Sequence, residues 1–230
     1  MDKELLTLLH AVDTPTVCNA IETVQGRRGF DAFTRGTMIC TEPGRAVVGY
    51  AVTAQISALA PPTEPPSVIR TRRMDYYRAM HDAQKPSVAV VEDMDFPGCI
   101  GAYWGEINTS IHKGFGLSGA LTNGVVRDLG DLPSGFPVIA GSIGPSHGFV
   151  HVVSINEPVR IFGMKVCQGD LVHADRHGAL VVPRDVIPSL ATAIATLQQT
   201  ERLILDPARS PGFDFATFET AWAAFEKART

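Results

Sequence analysis

An arginine and an aspartate stand side by side at positions 127 and 128, directly after a short apolar run that begins at Leu121. Aspartate oxygens bind hard divalent cations such as Mg2+. The planar guanidinium of an arginine donates two parallel hydrogen bonds to a carboxylate, and its charge offsets that of an enolate. The pair Arg127-Asp128 therefore suggests a small site for an oxo-acid bound beside a metal ion.

The segment Gly105-Glu106-Ile107-Asn108 precedes this pair and opens a helix that we predict over residues 105–116. The first N–H groups of a helix have no partner within the helix, so they form a ready anion site. We expect this helix start and the strand end at Arg127 to converge on one carboxylate ligand. A surface salt bridge, or a helix cap formed by Asp128 on the turn at 129–133, is an equally good explanation of the pair.

The segment Gly114-Phe115-Gly116-Leu117-Ser118-Gly119 matches G-x-G-x-x-G, the phosphate-binding pattern of dinucleotide folds. In those folds the pattern follows a strand and opens a helix. Here a predicted helix precedes it and a predicted strand follows, so we interpret it as a helix end and a turn.

Two histidines four positions apart, His173 and His177, resemble a zinc-binding pair. That spacing places both on one face only in a helix, and this segment lies between two strand-like runs. We interpret it as a turn with exposed imidazoles. Serine and histidine are both present, but the sequence alone does not bring them together as a catalytic pair, which gives little support to nucleophilic catalysis.

The composition is typical of a globular protein with a hydrophobic core, since 45% of the residues are hydrophobic and 19% are charged. The net charge of −4 argues against a nucleic-acid partner. No apolar run is long enough to span a bilayer, and the charged N-terminus does not resemble a signal peptide. The four cysteines form no C-x-x-C pair, which fits free thiols in a reducing compartment. We therefore expect a cytoplasmic protein that does not bind a membrane.

Strand-like and helix-like segments alternate in the middle of the chain, which predicts parallel strand pairing there. The segment 149–182 is strand-rich with short turns, which predicts antiparallel or mixed pairing. The predicted helices cover 3–11, a segment capped by Thr14, 67–83, 105–116, 184–205 and 215–228, with a break at Asp206-Pro207 and Pro211-Gly212 before the last one. The predicted strands of the first part cover 44–58, 87–93, 118–123 and 137–142. Four arginines lie in the helix at 67–83, and we interpret them as a solvated face or a subunit contact rather than an anion site.

Several blocks of the sequence, in this order, resemble the RraA-like family, which includes the class II 4-hydroxy-4-methyl-2-oxoglutarate / 4-carboxy-4-hydroxy-2-oxoadipate aldolases. The resemblance extends over roughly residues 10 to 205. The blocks are Thr16–Ala20, Gly105-Glu106, Gly119, Asn123-Gly124, Arg127-Asp128 with Asp131, Pro137-Val138, Gly169–Asp175 and Val181–Arg184.

The resemblance implies a single α/β domain of the swivelling β/β/α type over residues 1–230, with mixed sheets, N- and C-terminal helices, and a helical extension at 206–230. It implies a Mg2+ or Mn2+ ion that is anchored by Asp128 and held largely through water. It further implies that Arg127 binds the oxo-acid and stabilises the enolate, and that Glu106 helps to place a metal-bound water. The backbone of Gly105, Glu106, Ile107 and Asn108 would hold the substrate carboxylate.

The resemblance leaves two classes of function open. One is a metal-dependent lyase that cleaves a 4-hydroxy-2-oxo dicarboxylic or tricarboxylic acid to pyruvate and also decarboxylates oxaloacetate. The other is a regulatory protein that binds a ribonuclease or another partner, as some members of the family inhibit RNase E. Both classes of function agree with a homo-oligomer, which we expect to be a trimer or a hexamer. An aromatic stripe in the last predicted helix supports an oligomer, although packing within one subunit explains the stripe equally well.

Overall fold

The computed structural model describes residues 1–229, which form helices and short strands in a mixed α/β arrangement. The helices of this part are α1 (Lys3–Ala11), α2 (Thr14–Gln25), α3 (Pro66–Asp82), α4 (Glu106–Gly114), α5 (Ile187–Ala208) and α6 (Phe215–Arg229). The strands are β1 (Ile39–Cys40), β2 (Val47–Ser57), β3 (Ser87–Asp93), β4 (Ala102–Trp104), β5 (Ala120–Thr122), β6 (Val125–Val126), β7 (Val138–Ala140), β8 (Ser142–Ile143), β9 (His151–Ile155), β10 (Val159–Ile161), β11 (Met164–Val166), β12 (Leu171–Asp175) and β13 (Gly178–Val182). The predicted α/β class with N- and C-terminal helices is confirmed.

The largest sheet has the strand order β1-β7-β5-β3-β2-β12-β13, and β9 also pairs with β2. Strands β2, β3, β5 and β7 run parallel, whereas β9, β12 and β13 pair antiparallel. Both predictions of strand direction are thus confirmed. The apolar side chains of β2 and β3 are almost all buried, as expected for strands covered on both faces.

A smaller sheet positions the candidate site. Its strands follow the order β4-β6-β8 and pair in parallel, with Ala102 opposite Val125 and Trp104 opposite Val126. Parallel strands end at the same edge of a sheet, and ligands bind at that edge in many α/β proteins. The residues that follow β4 and β6, Gly105 and Arg127, therefore lie next to each other.

The chain divides into two compact units. The first comprises residues 1–15 and 31–184 and contains the sheets, two apolar clusters and the candidate site. The second comprises residues 16–30 and the chain from Asp185 onward, and it contains α5 and α6. The single domain with an extension at 206–230 stays a prediction.

Two predictions of helix boundaries were wrong. Helix α5 continues through Pro207 to Ala208 instead of breaking at Asp206-Pro207. Pro207 lies in the last turn, so its missing N–H and the bulk of its ring affect only the end of the helix. The chain turns only after this, near Gly212, whose φ is 81°. At the N-terminus, Thr14 is the first residue of α2 and not its cap.

Among the described helices, none has both the length and the apolar character needed to cross a bilayer. The cytoplasmic location stays a prediction.

Candidate active site

Arg127 and Asp128 follow β6 and lie beside the end of β4. The backbone N–H of Arg127 donates to the carbonyl of Trp104 at 2.8 Å, which continues the pairing of the two strands by one residue. Asp128 has a φ of 56°, a left-handed conformation that is uncommon for a residue other than glycine. Such strain in a structured region is a frequent mark of a functional site.

Gly105 makes this close approach possible. A Cβ atom at position 105 would lie 2.5 Å from Oδ2 of Asp128 and 2.9 Å from Nε of Arg127. Both distances are shorter than a real Cβ tolerates, so any larger residue would displace the two side chains. Gly105 therefore leaves the space in which the side chains of Arg127 and Asp128 lie.

The carboxylate of Asp128 joins the pair to helix α4. Its Oδ2 accepts a hydrogen bond from the N–H of Glu106 at 3.1 Å and lies 3.3 Å from Nε of Arg127. Asp128 thus caps α4 from outside the helix, and it does not cap the turn at 129–133 through its side chain. That turn is closed by a backbone bond from Asp131 N–H to the Asp128 carbonyl. A carboxylate at a helix N-terminus is electrostatically favourable.

The two side chains of the pair remain open to a ligand. The side chain of Arg127 is 30% exposed and that of Asp128 is 37% exposed. Within residues 1–229, the buried Nε–H of Arg127 donates no hydrogen bond of good geometry, although Oδ2 of Asp128 lies 3.3 Å away. The exposed part of the guanidinium is therefore free to bind an anion.

Helix α4 presents its first turn at the same place. Its N-cap, Gly105, provides no side-chain hydrogen bond to the helix. Glu106 is exposed, and Ile107 is 71% exposed. The N–H groups of Ile107 and Asn108 belong to the first turn, where no helical carbonyl is available to them. The structure therefore brings together the backbone segment 105–108 and the Arg127-Asp128 pair, as the sequence predicts, while the roles of these residues stay predictions.

The donor set at the site fits a water-held Mg2+ or Mn2+ ion. In the described part of the chain, no three His, Cys, Asp or Glu side chains form a cluster able to enclose a metal. Mg2+, however, usually binds through one or two carboxylates and keeps several waters. The half-exposed carboxylate of Asp128 meets this requirement, whereas a zinc site would need more protein ligands.

Asn123 has a structural role that its sequence context does not reveal. Its Oδ1 accepts from the N–H of Asp93 at 2.7 Å, and its Nδ2 donates to the carbonyl of Asp93 at 3.0 Å. An aspartate at position 123 would lack the donor for the second bond. The asparagine therefore fastens the end of β5 to the end of β3, two strands that carry the loops around the site.

The thiol of Cys99 lies close to Asn123 and Asp93 and is not a nucleophile at neutral pH. Burial, with a further contribution from the charge of Asp93, raises the pKa of its thiol to about 12. The thiolate is the reactive form of cysteine, and it is scarce at that pKa. Burial also raises the pKa of Asp93 itself.

The two histidines of the H-x-x-x-H motif do not form a metal site. His177 follows β12 in the turn, as predicted, but His173 is fully buried within β12 and not exposed. Its Nε2 contacts the carbonyl of Leu9 at 2.8 Å, and its Nδ1 contacts the hydroxyl of Thr14 at 3.0 Å. The strand pairs on both sides, which places His173 in the interior. The G-x-G-x-x-G segment is the predicted helix end and turn, with Gly116 at a φ of 81°.

Comparison with known proteins defines the class. The model of the RraA-like family, described as Aldolase/RraA, matches residues 14–181, so this chain belongs to the RraA-like family. Protein DlpA of Legionella pneumophila is 29% identical over 123 residues, which are 52% of this chain and 20% of DlpA. An uncharacterized protein of Methanocaldococcus jannaschii is 30% identical over 105 residues, 45% of this chain and 50% of that protein. The chain thus spans half or less of the length of these two relatives.

Among solved structures, Streptomyces coelicolor RraAS2, described as an unusual member of the RNase ES inhibitor RraA protein family, has the same fold. Its TM-score is 0.66 at 21% identity, and the match covers 91% of this chain and 98% of that one. At this identity the similarity establishes the fold alone. The family contains metal-dependent aldolases and RNase E inhibitors, and membership alone does not distinguish between them.

Proposed function

We propose that this protein is a divalent-metal-dependent lyase that cleaves a 4-hydroxy-2-oxo acid and releases pyruvate. One observation supports the proposal above all others. Beside Gly105, Oδ2 of Asp128 lies 3.1 Å from the N–H of Glu106 in the first turn of α4 and 3.3 Å from Nε of Arg127, so a carboxylate, a guanidinium and a helix start share one place. These are the groups that a metal-bound 2-oxo acid requires.

The proposed roles follow from the position of each group. The carboxylate of Asp128 would hold Mg2+ or Mn2+ together with water, and Glu106 would help to place one of these waters. When bound, the cation supplies Lewis-acid polarisation of the 2-oxo group and lowers the pKa of a bound water. The N–H groups of Ile107 and Asn108 would bind the substrate carboxylate.

The reaction breaks the bond between carbons 3 and 4 of the substrate. The 4-hydroxyl would give its proton to a water held beside Asp128 and become a carbonyl, while the electron pair of the broken bond forms the enolate of pyruvate. The guanidinium of Arg127 would offset the negative charge of this enolate, which is larger in the transition state than in the substrate. Return of that proton to carbon 3 of the enolate would then give pyruvate.

Decarboxylation of oxaloacetate passes through the same enolate, so the same groups would catalyse it. The resemblance to the class II aldolases extends the proposal to substrates with two or three carboxylates. Enzyme assays with oxaloacetate and several 4-hydroxy-2-oxo acids test the proposal, with pyruvate release measured in Mg2+ and again in EDTA. We expect pyruvate release in Mg2+ and none in EDTA. The proposal is refuted if none of these acids gives metal-dependent release.

We also propose a homotrimer or hexamer. On α6, the rings of Phe215, Phe218, Trp222 and Phe225 form a continuous row with centroids 5.6–5.7 Å apart. Phe215 is 71% exposed and Trp222 is 43% exposed. An exposed aromatic row of this length is typical of a surface that another protein covers.

The second candidate function is regulation by protein contact. Membership of the RraA-like family, which contains RNase E inhibitors, favours it, as does the exposed aromatic row. Under this hypothesis the Arg127-Asp128 site is vestigial. Binding of a ribonuclease partner would then survive Asp128→Ala. Loss of binding in that variant, together with turnover by the wild type, would exclude it.

A further inference from the structure

The side chain of Asn108 points away from the candidate site and into a network of hydrogen bonds. Its Oδ1 accepts from the hydroxyl of Tyr77 at 2.6 Å, and its Nδ2 donates to the carbonyl of Tyr103 at 2.6 Å. Tyr77 belongs to α3 and Tyr103 to β4. Asn108 therefore connects the first turn of α4 to two other elements.

A buried histidine completes the network one turn further along α4. Nδ1 of His112 lies 2.6 Å from the carbonyl of Asn108, so this nitrogen must carry the proton and donate it. Nε2 is then an acceptor, and the hydroxyl of Tyr76 donates to it at 2.7 Å. Both α3 tyrosines thus donate toward α4, one directly to Asn108 and one through His112.

Helix α4 depends on such external contacts for the order of its first turn. It has only nine residues, and a helix of this length is marginal on its own. Its N-cap contributes no side-chain hydrogen bond. Helix ends without a cap fray, and fraying would displace the N–H groups of Ile107 and Asn108. Two contacts oppose this displacement: the bond from Glu106 to Asp128, and the bonds of the Asn108 side chain.

We propose that Tyr77 is a positioning residue, which acts through Asn108 to hold the first-turn N–H groups of α4 in the orientation that binds the carboxylate of the substrate. This inference rests on the proposed function, because it assigns those N–H groups to a 2-oxo acid. It adds a residue of α3 that does not touch the substrate. It separates carboxylate binding, which depends on Tyr77, from metal binding, which depends on Asp128.

Tyr77→Phe tests this role because it removes only the hydroxyl that Asn108 accepts from. Tyr50→Phe is the matched control, since the hydroxyl of Tyr50 contacts the N-terminal amine and no part of α4. Calorimetry would give the Kd for pyruvate and for oxalate in the presence of Mg2+, and the Kd for Mn2+ alone. Hydrogen–deuterium exchange of the peptide that covers 105–109 would report the order of the first turn.

In Tyr77→Phe we expect about a tenfold weaker affinity for pyruvate and oxalate, the size of one hydrogen bond. We also expect faster exchange in 105–109 and an unchanged Kd for Mn2+. Asn108→Ala should show the same pattern with a larger effect, and Tyr50→Phe should match the wild type. The unchanged Mn2+ affinity distinguishes positioning from a general loss of structure.

Two results would overturn the inference. One is an unchanged affinity for both oxo-acids in Tyr77→Phe; the other is a parallel loss of oxo-acid and Mn2+ affinity, which would indicate a merely structural role. The proposed function fails separately, if the wild type binds neither pyruvate nor oxalate.

Discussion

His112 should make the stability of this protein fall as the pH is lowered from about 7 to about 4. The side chain is fully buried, and its Nε2 accepts a hydrogen bond from the hydroxyl of Tyr76, which requires the neutral ring. Burial, with a smaller effect from the charge of Lys85, lowers the pKa of His112 to about 4, while its bond to the Asn108 carbonyl acts in the opposite direction. In the unfolded chain a histidine has a pKa of about 6.5.

Between these two pKa values the unfolded chain binds a proton that the folded chain excludes. The stability that His112 provides is therefore fully present above about pH 6.5 and is lost progressively as the pH falls toward 4. At about 1.4 kcal/mol per pKa unit, the difference between 6.5 and about 4 corresponds to about 3 kcal/mol. That is a large part of the stability of a typical domain.

Urea unfolding of the wild type and of His112→Gln, at several pH values and one fixed protein concentration, measures this contribution. Burial also lowers the pKa of His10 and of His173, so the wild type alone would not isolate His112. The difference in unfolding free energy between the two proteins should shrink by about 3 kcal/mol from pH 7 to pH 4. A difference that stays constant over this range would refute the neutral, donating ring on which the network at Asn108 depends.

Three substitutions and one mass measurement test other parts of the account. Arg127→Lys keeps the charge but loses the paired donors, so kcat/KM for pyruvate release should fall by about 10²-fold or more; full activity would show that Arg127 does not act on the enolate. Asp128→Asn should weaken Mn2+ binding, measured by electron paramagnetic resonance, and an unchanged Kd would remove Asp128 as the metal ligand. Gly105→Ala should weaken the same binding, since its Cβ would lie 2.5 Å from Oδ2 of Asp128; wild-type affinity would mean that the pair tolerates displacement. Light scattering at micromolar concentration should give a trimer or hexamer, and a monomer would refute the oligomer.

The sequence was sufficient to predict the order of the main elements and the direction of most strand pairs. Apolar runs such as Ser87–Asp93 and proline-rich loops are strong local signals, and both are where the sequence predicts them. The contact between Gly105 and the Arg127-Asp128 pair follows instead from the pairing of β4 with β6. These strands have three and two residues, too few to show a periodicity.

The partners of single polar side chains were not predictable, because they come from distant parts of the chain. Asn108 is engaged by Tyr77, 31 positions away, and His173 by Leu9, 164 positions away. His173 was expected to be exposed because its segment was interpreted as a turn, whereas β12 continues to Asp175 and pairs on both sides. Aspartate adopts a positive φ more readily than most residues, but that tendency did not single out Asp128 among the aspartates of the chain.

The central claim is that Asp128 and its neighbours form a metal-dependent site for 2-oxo acids. The most direct measurement is the rate of pyruvate release from oxaloacetate in Mg2+, compared among the wild type, Asp128→Asn and Asp75→Asn. Asp75 is an exposed residue of α3, so its substitution makes the same charge change outside the site. The account predicts release by the wild type and by Asp75→Asn that EDTA abolishes, and release at the uncatalysed rate by Asp128→Asn. Equal, EDTA-insensitive rates in all three proteins would contradict it.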